Sequence, residues 1–212
     1  MMANQIIDIY NLQNMKLITI GDSITHGQYT GPNDSFPNSL AKPYGEYLKE
    51  YLGCEYINYG HNGVAFSHTS TVNSSIAFEN VVSAYEEGDI IIIAGGTNDF
   101  GTNVKLDDFY FAVNKVFSNV KNNNPHSKII VMTPLHRNGE SSNGIGLSLS
   151  QYSEILIKKA AEYGFIVING FDFFFNPNKE EDRNKYALDG LHLNDEGHKL
   201  LADFIISTGV LQ

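Results

Sequence analysis

A serine closes the segment Gly21-Asp22-Ser23, directly after a predicted strand. At a strand-to-helix turn, a serine can present its hydroxyl at the edge of a sheet, where the dipole of the following helix favours a developing negative charge. Ser23 is therefore a candidate nucleophile for acyl transfer. The same three residues are also consistent with an ordinary turn that carries a helix N-cap.

An aspartate and a histidine lie three residues apart in Asp189-Gly190-Leu191-His192. Across a tight turn, the Asp189 carboxylate can reach a ring nitrogen of His192. That contact would fix the tautomer of the ring and leave its other nitrogen facing a nucleophile, as a general base requires. The alternative is a surface loop followed by an N-cap residue.

Two further polar segments could supply hydrogen-bond donors to an oxyanion. The stretch 58–63 reads NYGHNG, and its glycines allow a backbone N–H to approach a ligand closely. Asn98, within GGTND at 95–99, carries a neutral amide donor. Each segment is equally consistent with a turn or a cap. We expect Asp22 and Asp99 to brace these loops through backbone hydrogen bonds.

An alternation of strand and helix patterns must position these residues. The continuous β-branched run at 89–94 is typical of a strand buried on both faces of a parallel sheet. The alternation predicts an α/β fold, a three-layer α/β/α sandwich with a mainly parallel sheet of about five strands. The predicted strands cover 16–20, 55–58, 89–94, 127–132 and 165–168, and the predicted helices cover 43–52, 76–87, 106–123, 149–163 and 194–206.

The four polar segments follow predicted strands one, two, three and five. Open α/β sheets bind ligands at the carboxyl edge of their strands, so we expect the four segments to meet there. Two long irregular segments, 28–42 and 137–148, follow strands at the same edge. Loops of that length in a compact domain are usually functional, which makes both candidate walls of a pocket.

Composition and charge argue against several classes of protein. The 212 residues include 14 basic and 24 acidic side chains, a formal net charge of −10. That balance argues against a nucleic-acid surface, which needs clustered Lys and Arg. Cys54 is the only cysteine, so an intrachain disulfide is excluded. The longest apolar run is far shorter than the about 20 residues of a membrane span.

We divide the chain into an N-terminal extension at 1–15 and a single domain at 16–212. The first fifteen residues lack the basic, apolar and cleavage regions of a signal peptide. The expected location is therefore cytoplasmic by default, or secreted if a signal was removed earlier.

The serine, aspartate and histidine occur in the chain order of the α/β-hydrolase fold. That fold needs glycine at the second position after its serine, where Thr25 stands here. Taken together, the segments GDS, N-x-G-x-x-G, GGTND and DGLH resemble instead the motifs of the SGNH hydrolases, also called the GDSL esterase/lipase superfamily. The motifs run over 21–194, nearly the whole chain, and the resemblance implies that family's flavodoxin-like α/β/α fold.

The resemblance also implies a catalytic triad. Ser23 would be the nucleophile, His192 the general base and Asp189 the residue that orients the histidine. Such a mechanism needs neither a metal nor an organic cofactor, and we expect none. The other histidines lack a metal-ligand spacing such as H-x-x-x-H.

The oxyanion hole follows from the same resemblance. It is assigned to the backbone N–H of Ser23, the backbone N–H of Gly63 and the side-chain amide of Asn98, with Gly60 as second choice for the glycine. The family often has Gly-Asp-Thr at this turn, whereas 63–65 reads GVA. We therefore expect a different local hydrogen bonding there.

Three histidines on loops at the predicted pocket edge, His26, His61 and His136, are candidate substrate contacts. The first functional hypothesis is a serine esterase for small acyl esters, in particular acetyl esters of carbohydrates, because the polar stretch 137–148 suits a sugar better than a lipid tail. Its expected partner is a small-molecule ester, such as an acylated sugar, with no nucleic acid and no membrane span.

Two alternatives belong beside this hypothesis. A lysophospholipase or thioesterase would act on longer acyl chains through the same residues. A non-catalytic module could use 21–23 as a phosphate cradle, although the chain lacks the phosphate-binding motif G-x-x-x-x-G-K-[ST].

Overall fold

The structure is a computed structural model that describes residues 15–72 and 74–212. Apart from Met15, the predicted N-terminal extension at 1–15 lies outside the described residues. Within the described ranges, no helix combines the length and the apolar character that crossing a membrane requires.

A parallel sheet of five strands forms the middle layer of the fold. The strands in chain order are β1 (Lys16–Gly21), β2 (Gln28–Tyr29), β3 (Ser39–Leu40), β4 (Glu55–Gly60), β5 (Ile90–Ala94), β6 (Lys128–Met132) and β7 (Ile166–Ile168). The sheet has the order β4-β1-β5-β6-β7, and β2 pairs with β3 in a separate antiparallel ladder. β5, which the sequence predicts as a strand buried on both faces, is the central strand, and all five of its residues are buried.

Helices cover both faces of this sheet. They are α1 (Ser23–His26), α2 (Tyr44–Leu52), α3 (Phe78–Val81), α4 (Thr97–Gly101), α5 (Leu106–Asn123), α6 (Leu149–Tyr163), α7 (Glu180–Tyr186) and α8 (Asp195–Ser207). α5 and α6 pack against each other on one face, and α2 and α8 on the other. The predicted three-layer α/β/α sandwich is thereby confirmed.

Side chains of the central strand alternate between two hydrophobic cores, as the pleat of a strand requires. Ile91 and Ile93 lie in the core that α5 and α6 cover, together with Phe109. Ile92 lies in the opposite core with Leu201 of α8. Each fully buried side chain of this size contributes about 1.5 to 3 kcal/mol. The two cores hold the strand ends, and therefore the loops beyond them, in fixed relative positions.

The start of α8 is set by its N-cap, Asn194. The side chain of Asn194 accepts a hydrogen bond from the Gly197 N–H at 3.0 Å, which satisfies one of the free donors of the first turn. The backbone N–H of Asn194 in turn donates to the Tyr186 carbonyl at 2.8 Å. These bonds anchor the residues that precede α8, among them the motif at 189–192.

The helix predicted over 76–87 is a wrong prediction. This stretch contains only the short helix α3, with a 3-10 turn at Ser74–Ile76 before it and another at Val82–Ala84 after it. The backbone N–H of Phe78 donates to the carbonyl of Ala65 at 3.0 Å, and that of Glu79 to Phe66 at 3.3 Å. These two N–H groups lie at the start of α3, where a helix offers them no partner, so the bonds fix where α3 begins. At the other end, Tyr85 is extended and the Glu86 N–H donates to Tyr59 Oη at 3.3 Å, whereas a continuous helix would direct it to the Val82 carbonyl. The irregular segment predicted at 28–42 likewise contains the β2–β3 ladder.

His198 on α8 is fully buried, and neither of its ring nitrogens has a hydrogen-bond partner among the described residues. Burial lowers the pKa of His198 from 6.5 to about 4, with a smaller opposing effect from Asp195 and a reinforcing one from His192. Because the unfolded chain binds this proton more tightly, folding stability decreases as the pH falls from 6.5 towards 4.

We predict that His198→Leu removes about 3 kcal/mol of this acid destabilisation, since one pKa unit corresponds to about 1.4 kcal/mol. Urea unfolding of the wild type and the variant at pH 7 and pH 4 measures it. The difference between the two proteins isolates His198 from the other titrating groups. Equal losses of unfolding free energy on acidification would contradict the prediction.

Candidate active site

Ser23 lies at the junction of β1 and α1. The side chain of Asp22 caps the helix by accepting a hydrogen bond from the Ile24 N–H at 2.9 Å. Gly21 is needed at the end of the strand, because a Cβ at this position would come within 1.9 Å of Thr25 Oγ1. Gly27, with φ 93°, ends the helix after one turn. The junction therefore holds Ser23 at the carboxyl edge of the sheet.

Ser23, His192 and Asp189 form a continuous hydrogen-bonded chain. His192 Nε2 lies 2.9 Å from Ser23 Oγ, and His192 Nδ1 lies 2.8 Å from Asp189 Oδ2. A carboxylate only accepts, so Nδ1 carries the ring proton and Nε2 is free to accept from the serine hydroxyl. The spacing of three residues along the chain places the Asp189 and His192 side chains in contact.

The turn between Asp189 and His192 is tightened by the same carboxylate. Asp189 Oδ1 accepts hydrogen bonds from the backbone N–H groups of Leu191, at 2.9 Å, and of His192, at 2.8 Å. Thr30 Oγ1 donates to Asp189 Oδ2 at 2.6 Å. Burial raises the pKa of the Asp189 carboxyl, but the hydrogen bonds from His192 and Thr30 outweigh it and hold this pKa well below its usual range.

Sequence reasoning missed Thr30. The residue lies between β2 and β3, inside the segment 28–42 that the sequence marks only as a long loop. Thr30 and Asp189 are far apart in the sequence, so no local pattern predicts their contact. The only indication was that Thr30 lies in a segment predicted to form a pocket wall.

Asn98 and the turn around Gly63 are neighbours at the same edge. The Asn98 side-chain nitrogen donates to the carbonyl of Val64 at 2.8 Å, which uses one of its two N–H groups. Gly63 has φ 71°, a conformation that favours glycine. The Gly60 N–H donates to Asn58 Oδ1 at 2.8 Å, so that donor is already engaged. Gly63 is thus the better placed of the two glycines to donate to a ligand.

Asp99 braces this turn, as the sequence predicts. Its two carboxylate oxygens accept hydrogen bonds from the Phe66 and Ser67 N–H groups, both at 3.0 Å. Burial raises the pKa of Asp99 to about 7, and burial raises the pKa of Asp22 to about 6. Both carboxyls accept hydrogen bonds from backbone N–H groups, and their pKa values are raised because burial disfavours the charged form of a carboxyl.

Arg137 is a second residue that sequence reasoning missed. Its guanidinium donates to the carbonyl of Thr97 at 3.1 Å and to Thr97 Oγ1 at 2.9 Å, and it lies over the ring of Phe100. Burial lowers the pKa of this guanidinium, while the nearby carboxylates of Asp22 and Asp189 oppose that shift. Arg137 thus anchors the residue before Asn98 from the neighbouring loop.

The three histidines predicted as substrate contacts occupy different settings. His26 Nδ1 lies 3.1 Å from the Gly60 carbonyl, and His61 is exposed. His136 Nδ1 lies 2.9 Å from a carboxylate oxygen of Glu140, and its ring stacks on Phe171 with 4.6 Å between centroids. Their contact with a substrate stays a prediction.

The arrangement combines the Ser23 hydroxyl, the His192 imidazole that can accept its proton, the ionised Asp189 carboxylate and neutral amide donors. Among the described residues, no group of three His, Cys, Asp or Glu side chains is placed to hold a metal ion. The combination of hydroxyl, imidazole, carboxylate and amide donors suits the transfer of an acyl group to and from a serine.

Comparison with known proteins agrees with this chemistry. The GDSL-like lipase/acylhydrolase family matches residues 19–200 of the chain. The chain therefore belongs to this family, and it is a hydrolase that acts on ester bonds. No curated protein matches it by sequence.

Solved structures of similar fold span nearly the whole chain. A protein from Lactobacillus plantarum is 23% identical over 92% of this chain and 96% of its own, with a TM-score of 0.77. A carbohydrate acetylesterase from Sinorhizobium meliloti is 17% identical over 93% and 99%, with a TM-score of 0.69. An acetyl xylan esterase from Geobacillus stearothermophilus, solved as a variant, is 22% identical over 92% and 94%, with a TM-score of 0.66. At these identities the likeness concerns the fold.

We predict that Asp99→Ala lowers the free energy of unfolding by about 2 to 4 kcal/mol, because two buried N–H groups lose their acceptor. Urea unfolding at pH 7 measures the loss. Asp108→Ala, which removes an exposed carboxylate from the first turn of α5, is the matched control and should cost less than about 1 kcal/mol. Similar losses in both variants would show that the Asp99 contacts contribute little.

Proposed function

We propose that this protein is a serine esterase that hydrolyses small acyl esters, in particular acetyl esters of carbohydrates, through Ser23, His192 and Asp189. The observation that carries the proposal is the unbroken chain of hydrogen bonds from Ser23 Oγ to His192, at 2.9 Å, and from His192 to Asp189, at 2.8 Å. These hydrogen bonds lie at the same edge of the sheet as the Asn98 amide.

The proposed reaction has two halves. His192 Nε2 takes the proton of the Ser23 hydroxyl as the oxygen attacks the ester carbonyl, and the resulting tetrahedral intermediate expels the alcohol, which receives that proton from His192. A water molecule then gives a proton to His192 and attacks the acyl-enzyme, which releases the acid and regenerates Ser23. Asp189 stays ionised throughout and compensates the imidazolium charge.

Three donors are proposed for the oxyanion: the backbone N–H of Ser23, the backbone N–H of Gly63 and the free amide N–H of Asn98. Ser23 is the first residue of α1, where unpaired N–H groups point away from the helix. The hydrogen bond from Asn98 to the Val64 carbonyl, at 2.8 Å, keeps the amide beside the Gly63 turn. Donors held in this way need no reorganisation when charge develops.

An acetyl ester of a carbohydrate is proposed because the stretch 137–148, which follows β6 at the same sheet edge as Ser23, is polar and suits a sugar better than a lipid tail. The acetylesterases among the structures of similar fold support the same substrate class.

We predict that the wild-type protein hydrolyses a series of p-nitrophenyl esters of increasing acyl length with a preference for acetate over laurate. Ser23→Ala should abolish turnover of every ester in the series. Removal of a triad nucleophile costs several orders of magnitude in kcat. Initial rates of both proteins across the series provide the measurement. Equal rates in both proteins would remove Ser23 as the nucleophile.

Other outcomes distinguish the alternatives. A Ser23-dependent optimum at longer chains would favour a lysophospholipase or thioesterase over the proposed substrate class. Labelling by a fluorophosphonate requires an activated serine, so unlabelled Ser23 together with absent turnover would favour a phosphate-binding module.

We predict that Asn98→Ala lowers kcat by about 10² to 10³ with little change in KM, because loss of one oxyanion donor affects the transition state more than the bound substrate. Steady-state kinetics on p-nitrophenyl acetate measure the effect. The control is Asn122→Ala on α5, an exposed amide that should leave kcat unaltered. A comparable increase in KM with an unchanged kcat would place Asn98 in ground-state binding instead.

A further inference from the structure

A cavity lies between the segments that follow β6 and β7, and the catalytic arrangement does not use it. Its volume is about 420 Å³, within the range of small-molecule sites. One wall is formed by His136 and Glu140. The rest of the lining is formed by 171–176 and Asn178.

The cavity is close to the triad along the same sheet edge. β5 separates β1 from β6, and at about 4.8 Å per strand the cavity lies about 10 to 15 Å from Ser23 along the edge. Asn138, two residues beyond His136, donates to the backbone carbonyl of Asp189 at 3.4 Å. The segment that lines the cavity therefore contacts the turn at 189–192. The cavity itself is too distant from Ser23 to hold the ester that is cleaved. It suits a part of the substrate beyond the bond that is cleaved.

The lining combines aromatic faces with hydrogen-bonding groups. His136 and Phe171 stack with an interplanar angle of 24° and so cover one face of each ring, whereas Phe174 is 55% exposed although it is a large apolar residue. Glu140, Asp172 and two asparagines supply carboxylate and amide groups. A sugar ring matches both features, because its C–H faces pack on aromatic rings while its hydroxyls hydrogen-bond at the ring edge.

The charge of the lining selects against other leaving groups. Among the described residues that line the cavity there are two carboxylates, Glu140 and Asp172, and no Lys or Arg. A phosphate-bearing group, such as a phospholipid headgroup or a coenzyme A nucleotide, would meet like charge without a compensating cation. An uncharged polyhydroxylated ring meets hydrogen-bond acceptors instead.

We infer that this cavity is a subsite for an uncharged sugar unit of an acylated oligosaccharide, next to the unit whose ester Ser23 attacks. The inference rests on the proposed function and adds that the enzyme recognises more than one sugar ring. Binding energy from the second ring lowers KM for acylated oligosaccharides relative to acylated monosaccharides.

The test compares chain lengths. Wild type, Phe174→Ala and the control Phe111→Ala are assayed on mono-O-acetylated monosaccharides and tetrasaccharides of xylose, glucose and N-acetylglucosamine, and on p-nitrophenyl acetate. Phe111 is a matched control because it is 68% exposed and lies on α5, in the layer that packs with α6.

We expect wild type and Phe111→Ala to have a lower KM for the tetrasaccharide than for the monosaccharide in at least one sugar series. Phe174→Ala should lose about tenfold of that preference, the loss of one aromatic packing contact. Equal KM values for both chain lengths in all three series, or a preference retained in Phe174→Ala, would overturn the subsite.

A binding measurement separates this inference from the proposed function. Calorimetric titration of Ser23→Ala protein with the unacetylated tetrasaccharides requires no catalysis. Binding that is weakened about tenfold by adding Phe174→Ala supports the subsite even if Ser23 is not the nucleophile. Absence of binding in all three series, with Ser23-dependent hydrolysis of p-nitrophenyl acetate intact, overturns the subsite and leaves the proposed function standing.

Discussion

The contact between Asp189 and His192 is the interaction on which the site depends. One carboxylate accepts four hydrogen bonds, from two backbone N–H groups, from Thr30 and from the His192 ring. These bonds shape the turn, hold the carboxyl ionised and set the tautomer of the imidazole together. A neutral ring with its proton on Nδ1 is what lets Nε2 accept from Ser23. The geometry of the turn and the tautomer of the His192 ring therefore have a single cause.

The parallel sheet supplies the second constraint. Ser23 and His192 are 169 residues apart in the chain, yet their side chains lie in hydrogen-bond contact. Parallel strands require crossover connections, so each strand ends at the same edge and delivers its following loop there. The two cores on either side of β5 keep those ends fixed. The cavity lined by Phe174 belongs to the same edge, which is the arrangement that the proposed sugar subsite requires.

The errors of sequence reasoning have physical reasons. The pattern at 76–87 is consistent with a helix, but Tyr85 is extended and the Glu86 N–H donates to Tyr59 Oη, on a distant strand, and not to a carbonyl one turn earlier. Thr30 and Arg137 were missed because their partners, Asp189 and Thr97, are remote in sequence. Periodicity and motif spacing report only local relations, whereas these contacts arise when separate loops meet.

The sequence by itself determined the fold class, the five-stranded sheet and the segments that follow its strands, because strand burial, glycine positions and motif spacing are local properties. It also predicted the contact between Asp189 and His192, because a separation of three residues lets the two side chains meet across a tight turn. The tertiary structure decided which donors surround Asp189, which loop braces Asn98 and where the cavity lined by Phe174 lies. Those features depend on the packing of distant segments against a common sheet edge, and packing is not encoded at any single position.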